Sequence, residues 1–369
     1  MATEFVNPSG TLGASGISTS RLGYGCMSLS SNLYAGAPPE EEAIVLLRRA
    51  YDLGVRLFNT SDLYGPYTNE VLLARAFPLD QYPDVVIATK WGAMFAPGRG
   101  IVQDNSRENC RRCCEGALQR LQRPCIDLFT YRGPPDPTSG VSIADTMEEC
   151  KLLLAEGKIR GVGLSEVSAA QIRQAAAVVP VAAVELEWSL FTRDAEAEII
   201  PTCRELGISM LAYSPLGRGL LTGALRSVEQ LSEGDFRRKG SPWFEQIDKN
   251  LVLVDRLAAL AASKGCTAGQ LALAWVMARG PDVFPIPGTR KIANLEENLG
   301  ALSLLPGLTA GELEQLELAV PAEQVSGTRY GHMAMTFHGA KRAEERQATA
   351  AAAAAAGGSS AGGGKAAGV

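Results

Sequence analysis

Two side chains of this 369-residue chain could together make an acid: Tyr64, in the run FNTSDLYG (58–65), and Lys90, in ATKWG (88–92). A neighbouring ammonium favours the phenolate, so a tyrosine beside a lysine can donate its proton well below its ordinary value of about 10. Each residue also has a plainer reading, Tyr64 as a packing ring and Lys90 as a surface charge. Farther along, AYSPLGRG (212–219) brings Tyr213, Ser214, Leu216, Gly217 and Arg218 together. Hydroxyl, glycines and guanidinium suit the approach of a pyrophosphate, although an ordinary glycine-rich turn has the same composition. IPGTRK (286–291) sets Gly288, Thr289, Arg290 and Lys291 in front of a helical pattern. A helix N-terminus with two added cations is a phosphate site by dipole and charge together.

These segments can act together only if the elements carrying them deliver them to one end of a fold. β-rich runs at 21–25, 55–58, 85–89, 126–129, 159–164, 181–186, 208–212 and 283–286 alternate with helical patterns. The first helix, 40–53, follows two prolines, carries acids in its first turn and stops at Gly54. Capping boxes are predicted at Ser168 with Gln171, Thr267 with Gln270, and Thr309 with Glu312. Alternation of this kind implies right-handed βαβ units and a parallel sheet. Eight strands, none followed by a complete GxGxxG turn, favour an α/β fold of the (β/α)8 TIM barrel type over an open sheet. A short N-terminal hairpin over 9–20 is expected to cover the barrel floor. The barrel domain is placed at 1–325. The remainder, 326–369, is a C-terminal segment that from about Ala340 becomes a low-complexity Ala/Gly-rich tail, expected to be disordered.

Composition removes several classes of function. The 35 basic and 40 acidic residues are interspersed, which leaves no electrostatic footprint for nucleic acid and no polybasic membrane patch. No run approaches the roughly 18 uncharged apolar residues of a membrane span, and the first ten residues lack a secretory signal pattern. A soluble, cytoplasmic protein is expected. Cys110, Cys113 and Cys114 lie on one amphipathic helix with no fourth ligand nearby, so they are read as structural thiols and no metal is expected. The two histidines, His332 and His338, stand late in the chain. Catalysis in the main body would therefore proceed without histidine.

In their order, these segments resemble the aldo-keto reductase superfamily over roughly residues 18–325. FNTSDLYG is similar to the family's F-D-T-A-x-x-Y-G signature, Lys90 to its lysine, and IPGTRK with LEEN (295–298) to its adenosine-phosphate site. Within the superfamily, FNTSDLYGP, GLSEVS and AYSPLGRGLLTG look most like the pyridoxal reductases. The resemblance implies Tyr64 as general acid and Lys90 as its partner. Ser165 would bond the nicotinamide carboxamide and Tyr213 would stack on the ring. Gly25, Met27, Ser214 and Glu185 would join the cofactor site, Glu166 and Glu185 standing where many relatives carry Asn and Gln. Leu216, Gly217 and Arg218 would cover the pyrophosphate. Gly288, Thr289, Arg290, Lys291, Glu297 and Asn298 would bind the adenosine end, their two cations favouring NADPH.

Two departures bear on catalysis. Asn59 replaces the family's aspartate, so Lys90 would lack its neutralising partner, Asp62 being a poorly placed substitute. Arg132 takes the place of the family's histidine, or Tyr131 if the register slips by one, and Arg132 could polarise a carbonyl. The expected reaction is NADPH-dependent reduction of a small-molecule aldehyde, with pyridoxal to pyridoxine favoured. Trp91, Trp188 and Tyr34 are candidate ring-stacking residues. Alternatives are a reductase of other aldehydes or ketones, or a non-catalytic NADPH-binding barrel.

Overall fold

The apolar runs become a ring of parallel strands whose alternate side chains point into and out of a barrel. In this computed structural model, residues 5–349 are described except 35, 97, 99, 135–138, 332–335, 343 and 346–348. A hairpin of β1 (Ser9–Thr11) and β2 (Ser18–Ser20) comes first. Then follow β3 (Tyr24–Gly25), β4 (Leu57–Ser61) and β5 (Val86–Trp91), and a second hairpin of β6 (Ala93–Ala96) and β7 (Gly100–Gln103). The ring continues through β8 (Ile126–Arg132), β9 (Ile159–Ser165), β10 (Val181–Glu187), β11 (Ser209–Tyr213) and β12 (Val283–Pro285). Helices lie between these strands, so the chain is a (β/α)8 barrel.

The ring closes between its first and last strands. The amides of Gly23 and Gly25 donate to the carbonyls of Pro285 and Pro287 at 2.9 and 3.2 Å. A Cβ on Gly25 would lie 2.7 Å from the Ile286 carbonyl oxygen, and one on Gly288 would lie 2.6 Å from that of Gly25. Only glycine allows this approach.

Period-two alternation divides the barrel into two apolar layers. Leu57, Val86, Ala88, Leu128, Leu211 and Phe284 fill the interior, and Leu12 and Ile17 of the floor hairpin pack beneath them. Phe58, Ile87, Phe129, Tyr131 and Val184 belong to the outer layer under the helices. Extending the inward set towards the C-terminal ends of the strands reaches Asn59, Lys90, Arg132, Ser165, Glu185 and Tyr213.

Several observed strands run a few residues beyond the apolar runs, because their last inward positions are polar and face the mouth. All three anticipated capping boxes are present. The cysteine-bearing run is the helix Arg107–Leu121, with Cys110 and Cys114 buried and the Cys110 Sγ 3.7 Å from that of Cys150.

Described residues at the start of the expected tail lie against the barrel. Phe337 and Ala340 are buried, Lys341 bonds Glu198 at 2.5 Å, and the Ser168 hydroxyl donates to Glu344 at 2.5 Å. Phe337, Lys341 and Glu344 thus find partners on the barrel, which Ala/Gly composition could not supply. Residues 350–369 and His332 lie outside the described residues. No described helix is long and apolar enough to cross a membrane.

Candidate active site

The turn after β4 delivers the tyrosine. Its amide bonds the Ser61 carbonyl at 3.1 Å and that of Tyr67 bonds Asp62 at 2.8 Å. Gly65 takes φ 64°, where an added Cβ would sit 2.2 Å from the Thr68 hydroxyl, so the turn needs glycine there. Half-buried Tyr64 then stands over the inner end of β5, its ring centroid 5.0 Å from the Lys90 Nζ. The tyrosine and lysine are brought together.

Lys90 is not left without a counter-charge, contrary to expectation. Its ammonium donates to Asn59 Oδ1 at 2.8 Å and to the Thr60 carbonyl at 3.1 Å, and lies 3.0 Å from Glu185 Oε1. Burial disfavours the ammonium, but Glu185 and then Tyr64 outweigh it, and the lysine is held above its ordinary value. Glu185, which the resemblance places in the cofactor site, meets Lys90 from β10 across the barrel from β5, a contact that no local pattern in the sequence carries.

Asp62 has no part in that pair. It lies beside Ser61, whose hydroxyl donates to it at 3.2 Å, and burial followed by the nearby Glu70 carboxylate pushes it up to about 7. A carboxyl raised on folding makes the native state bind more protons than the unfolded chain between the two values. Its contribution is full below about pH 4 and is lost as pH rises to about 7. Asp62→Asn is therefore expected to gain stability relative to wild type across that window, read by denaturant midpoints. Parallel curves from pH 4 to 8 would remove the assignment.

The alternation of β8 settles which residue reaches the mouth. Tyr131 is fully buried in the outer layer, edge-on to Trp91 at 5.9 Å, and Arg132 falls on the inward set, half-buried. Two anticipated stacking residues belong to the core instead. Trp91 stacks on Phe129 at 5.4 Å and Trp188 packs against Trp275, both about 1% exposed, since their positions point under the helices. Tyr34 stays near the mouth, edge-on to Phe236 with Arg237 over its ring.

A buried charge network that the sequence did not disclose lies beside these groups. Arg329 reaches the Glu166 carboxylate at 3.1 and 3.2 Å and Glu187 at 3.5 Å. Glu166, with φ 54°, also accepts from the Tyr213 hydroxyl at 2.7 Å and the Phe337 amide at 3.1 Å. Arg218, read as a pyrophosphate contact, is instead buried: it pairs with Glu187 at 3.1 Å and bonds Ser241 and the Arg329 carbonyl, with the Tyr330 ring 4.3 Å away. An inward carboxylate on β10 needs a cation, and this guanidinium supplies it. The only clue to Arg329 was that GTRYGHMAMTF is richer in aromatic and apolar residues than the tail after it.

The remaining anticipated cofactor residues line the neighbouring rim. Gly217, Arg218 and Gly219 take φ of 55°, 57° and 93° in succession, after Ser214 at 48°, and the Gly217 and Gly219 amides close tight turns on the Ser214 and Leu216 carbonyls at 2.9 and 3.0 Å. Leu216 packs nearby, and Met27 is half-buried just after β3. Thr289 orders the next turn, its hydroxyl accepting from the Lys291 amide at 3.2 Å. Arg290 and Lys291 are exposed in front of the helix Ile292–Gly300, on which Glu297 accepts from Thr267 at 2.7 Å and Asn298 is buried. Among the described residues the buried Ser28 hydroxyl has no hydrogen-bond partner, and it lies 3.8 Å from where a Gly288 Cβ would stand. That unpartnered hydroxyl, the bare glycine and the two cations fit a phosphate-bearing nucleotide.

A (β/α)8 barrel with a tyrosine–lysine pair at its mouth and a nucleotide cradle beside it defines an NAD(P)-dependent oxidoreductase. The model of the Aldo/keto reductase family matches residues 21–319, and the chain belongs to that family. Among solved structures it is similar to a glycerol dehydrogenase from Gluconobacter oxydans, at 26% identity over 87% of this chain and 97% of that one, with a TM-score of 0.73. It is also similar to the holo form of an aldo-keto reductase from Bacillus halodurans, at 25% identity over 89% and 99% of the two chains, with a TM-score of 0.71.

Proposed function

We propose that this aldo/keto reductase uses NADPH to reduce an aldehyde to a primary alcohol, with pyridoxal, giving pyridoxine, as the preferred substrate. The observation that carries the reading is Tyr64 standing over the Lys90 ammonium at the barrel mouth. When bound, the reduced nicotinamide supplies the hydride. Tyr64 donates the proton to the carbonyl oxygen, and Lys90 stabilises the phenolate left behind. Arg132, inward on β8, would draw electron density towards the same oxygen as a fixed cation. Ser165, buried at the end of β9, would hold the carboxamide, and Tyr213 would lie against the ring. Exposed Arg290 and Lys291 support NADPH over NADH, because a 2′-phosphate takes charge-assisted bonds from both. All eight cysteines are unpaired thiols, which supports the cytoplasm as its compartment.

The test is NADPH oxidation with pyridoxal beside a panel of other aldehydes and ketones, with glycerol and oxidised cofactor added because one structural neighbour is a glycerol dehydrogenase. Pyridoxal should give the highest kcat/KM. A higher value for another carbonyl would reassign the substrate, and NADPH binding without any turnover would leave a cofactor-binding barrel.

A further inference from the structure

Asn59, Lys90 and Glu185 form a closed triangle inside the mouth. The Lys90 ammonium donates to Asn59 Oδ1 at 2.8 Å and to Glu185 Oε2 at 3.3 Å, and its distance to Glu185 Oε1 is 3.0 Å. The Asn59 amide nitrogen donates to the same Glu185 Oε2 at 2.7 Å. All three are at most about 5% exposed. An amide has one accepting and one donating end. Because the donating end of Asn59 is engaged by Glu185, its oxygen must face the lysine. The single full negative charge in the triangle is therefore on β10, and Asn59 orients without neutralising.

We propose that Glu185 is the counter-ion of the Tyr64–Lys90 acid, a positioning residue acting through Lys90, and that the carboxylate at 185 and the amide at 59 form one exchangeable unit. The inference rests on the reductase reading above. Both carboxylate oxygens of Glu185 face Lys90 and one of them also accepts from Asn59, which places the carboxylate under the acid. The titratable groups facing the ammonium are Glu185 from β10, Tyr64 from the turn after β4 and Cys26 from the turn after β3. Of these, Glu185 contributes most to keeping the lysine charged. With glutamine at 185 the ammonium would be buried among neutral acceptors. Burial would then lower its proton affinity, and a neutral amine cannot stabilise the Tyr64 phenolate.

The experiment compares wild type, Glu185→Gln and Asn59→Asp/Glu185→Gln by two readouts: kcat against pH, and 15N NMR titration of the lysine Nζ in the cofactor-free protein. In Glu185→Gln, Lys90 should titrate at lower pH than in wild type. Its kcat should fall by at least roughly tenfold, and the alkaline limb of the profile should move to lower pH. The double variant moves the carboxylate to the other corner of the triangle, beside the same ammonium, and should restore both readouts. An unchanged Lys90 titration in Glu185→Gln would overturn the proposal. So would a rise in cofactor KM with kcat unaltered, or a double variant no better than the single one. If Glu185→Gln does not fold, the double variant decides alone: wild-type titration supports the exchange and a lowered one defeats it. If the wild type reduces no carbonyl, the reductase reading fails while the titration still decides whether Glu185 holds Lys90 charged.

Discussion

Tyr64→Phe is expected to lower kcat by about 10²–10⁴-fold, the range a positioned general acid contributes, while NADPH affinity stays at the wild-type level. The substitution removes one hydroxyl and keeps the ring over Lys90, so the turn and the lysine's contacts with Asn59, Thr60 and Glu185 should persist. Steady-state turnover and fluorescence titration with NADPH separate the two effects. Full activity in Tyr64→Phe would mean the proton comes from elsewhere. A parallel loss of cofactor affinity would mean the ring shapes the cofactor site more than the chemistry.

Arg329→Met is expected to cost about 3–5 kcal/mol of stability, because removing one partner of a buried ion pair leaves the other charge uncompensated. Arg329 is 2% exposed, and the Glu166 and Glu187 carboxylates it meets are 5% and 0% exposed. Burial already raises Glu187 above the ordinary carboxylate range, with Arg218 and then Arg329 opposing that rise. In a chain of this size the loss corresponds to a drop of about 4–7 °C in Tm. Arg329→Met/Glu166→Gln should recover part of it, since the stranded charge is then gone. A Tm within about 1 °C of wild type for the single variant would mean that water reaches these carboxylates and the network holds little.

The barrel was legible because it is written in local signals: alternating apolar runs, capping boxes, and glycines such as Gly54 where helices stop. Tyr64, Lys90 and the Arg290–Lys291 pair were legible because each lies at or shortly after the C-terminal end of its strand, and strand ends of a parallel barrel converge. What stayed hidden were contacts across the ring or from the end of the chain. Glu185 and Lys90 are 95 positions apart and Arg329 and Glu166 are 163 apart, so no periodicity connects either pair. Trp91 and Trp188 were misassigned for a related reason: a rim aromatic and a core aromatic differ only in strand parity, and a displacement of one residue exchanges them. Strand ends were placed too early where inward positions became polar. Asn59, Lys90 and Glu185 interrupt the apolar pattern because they form the site.

The hairpin beneath the barrel has a consequence for the site above it. Leu12 and Ile17 close the floor, and the Gly13 amide is fastened to the Ser209 hydroxyl at 2.8 Å. Above them Leu57, Val86, Ala88, Leu128, Leu211 and Phe284 fill the interior as a packed core and not a channel. Lys90 therefore sits on solid ground, and the polar groups around it are met from the strand ends where Tyr64 stands.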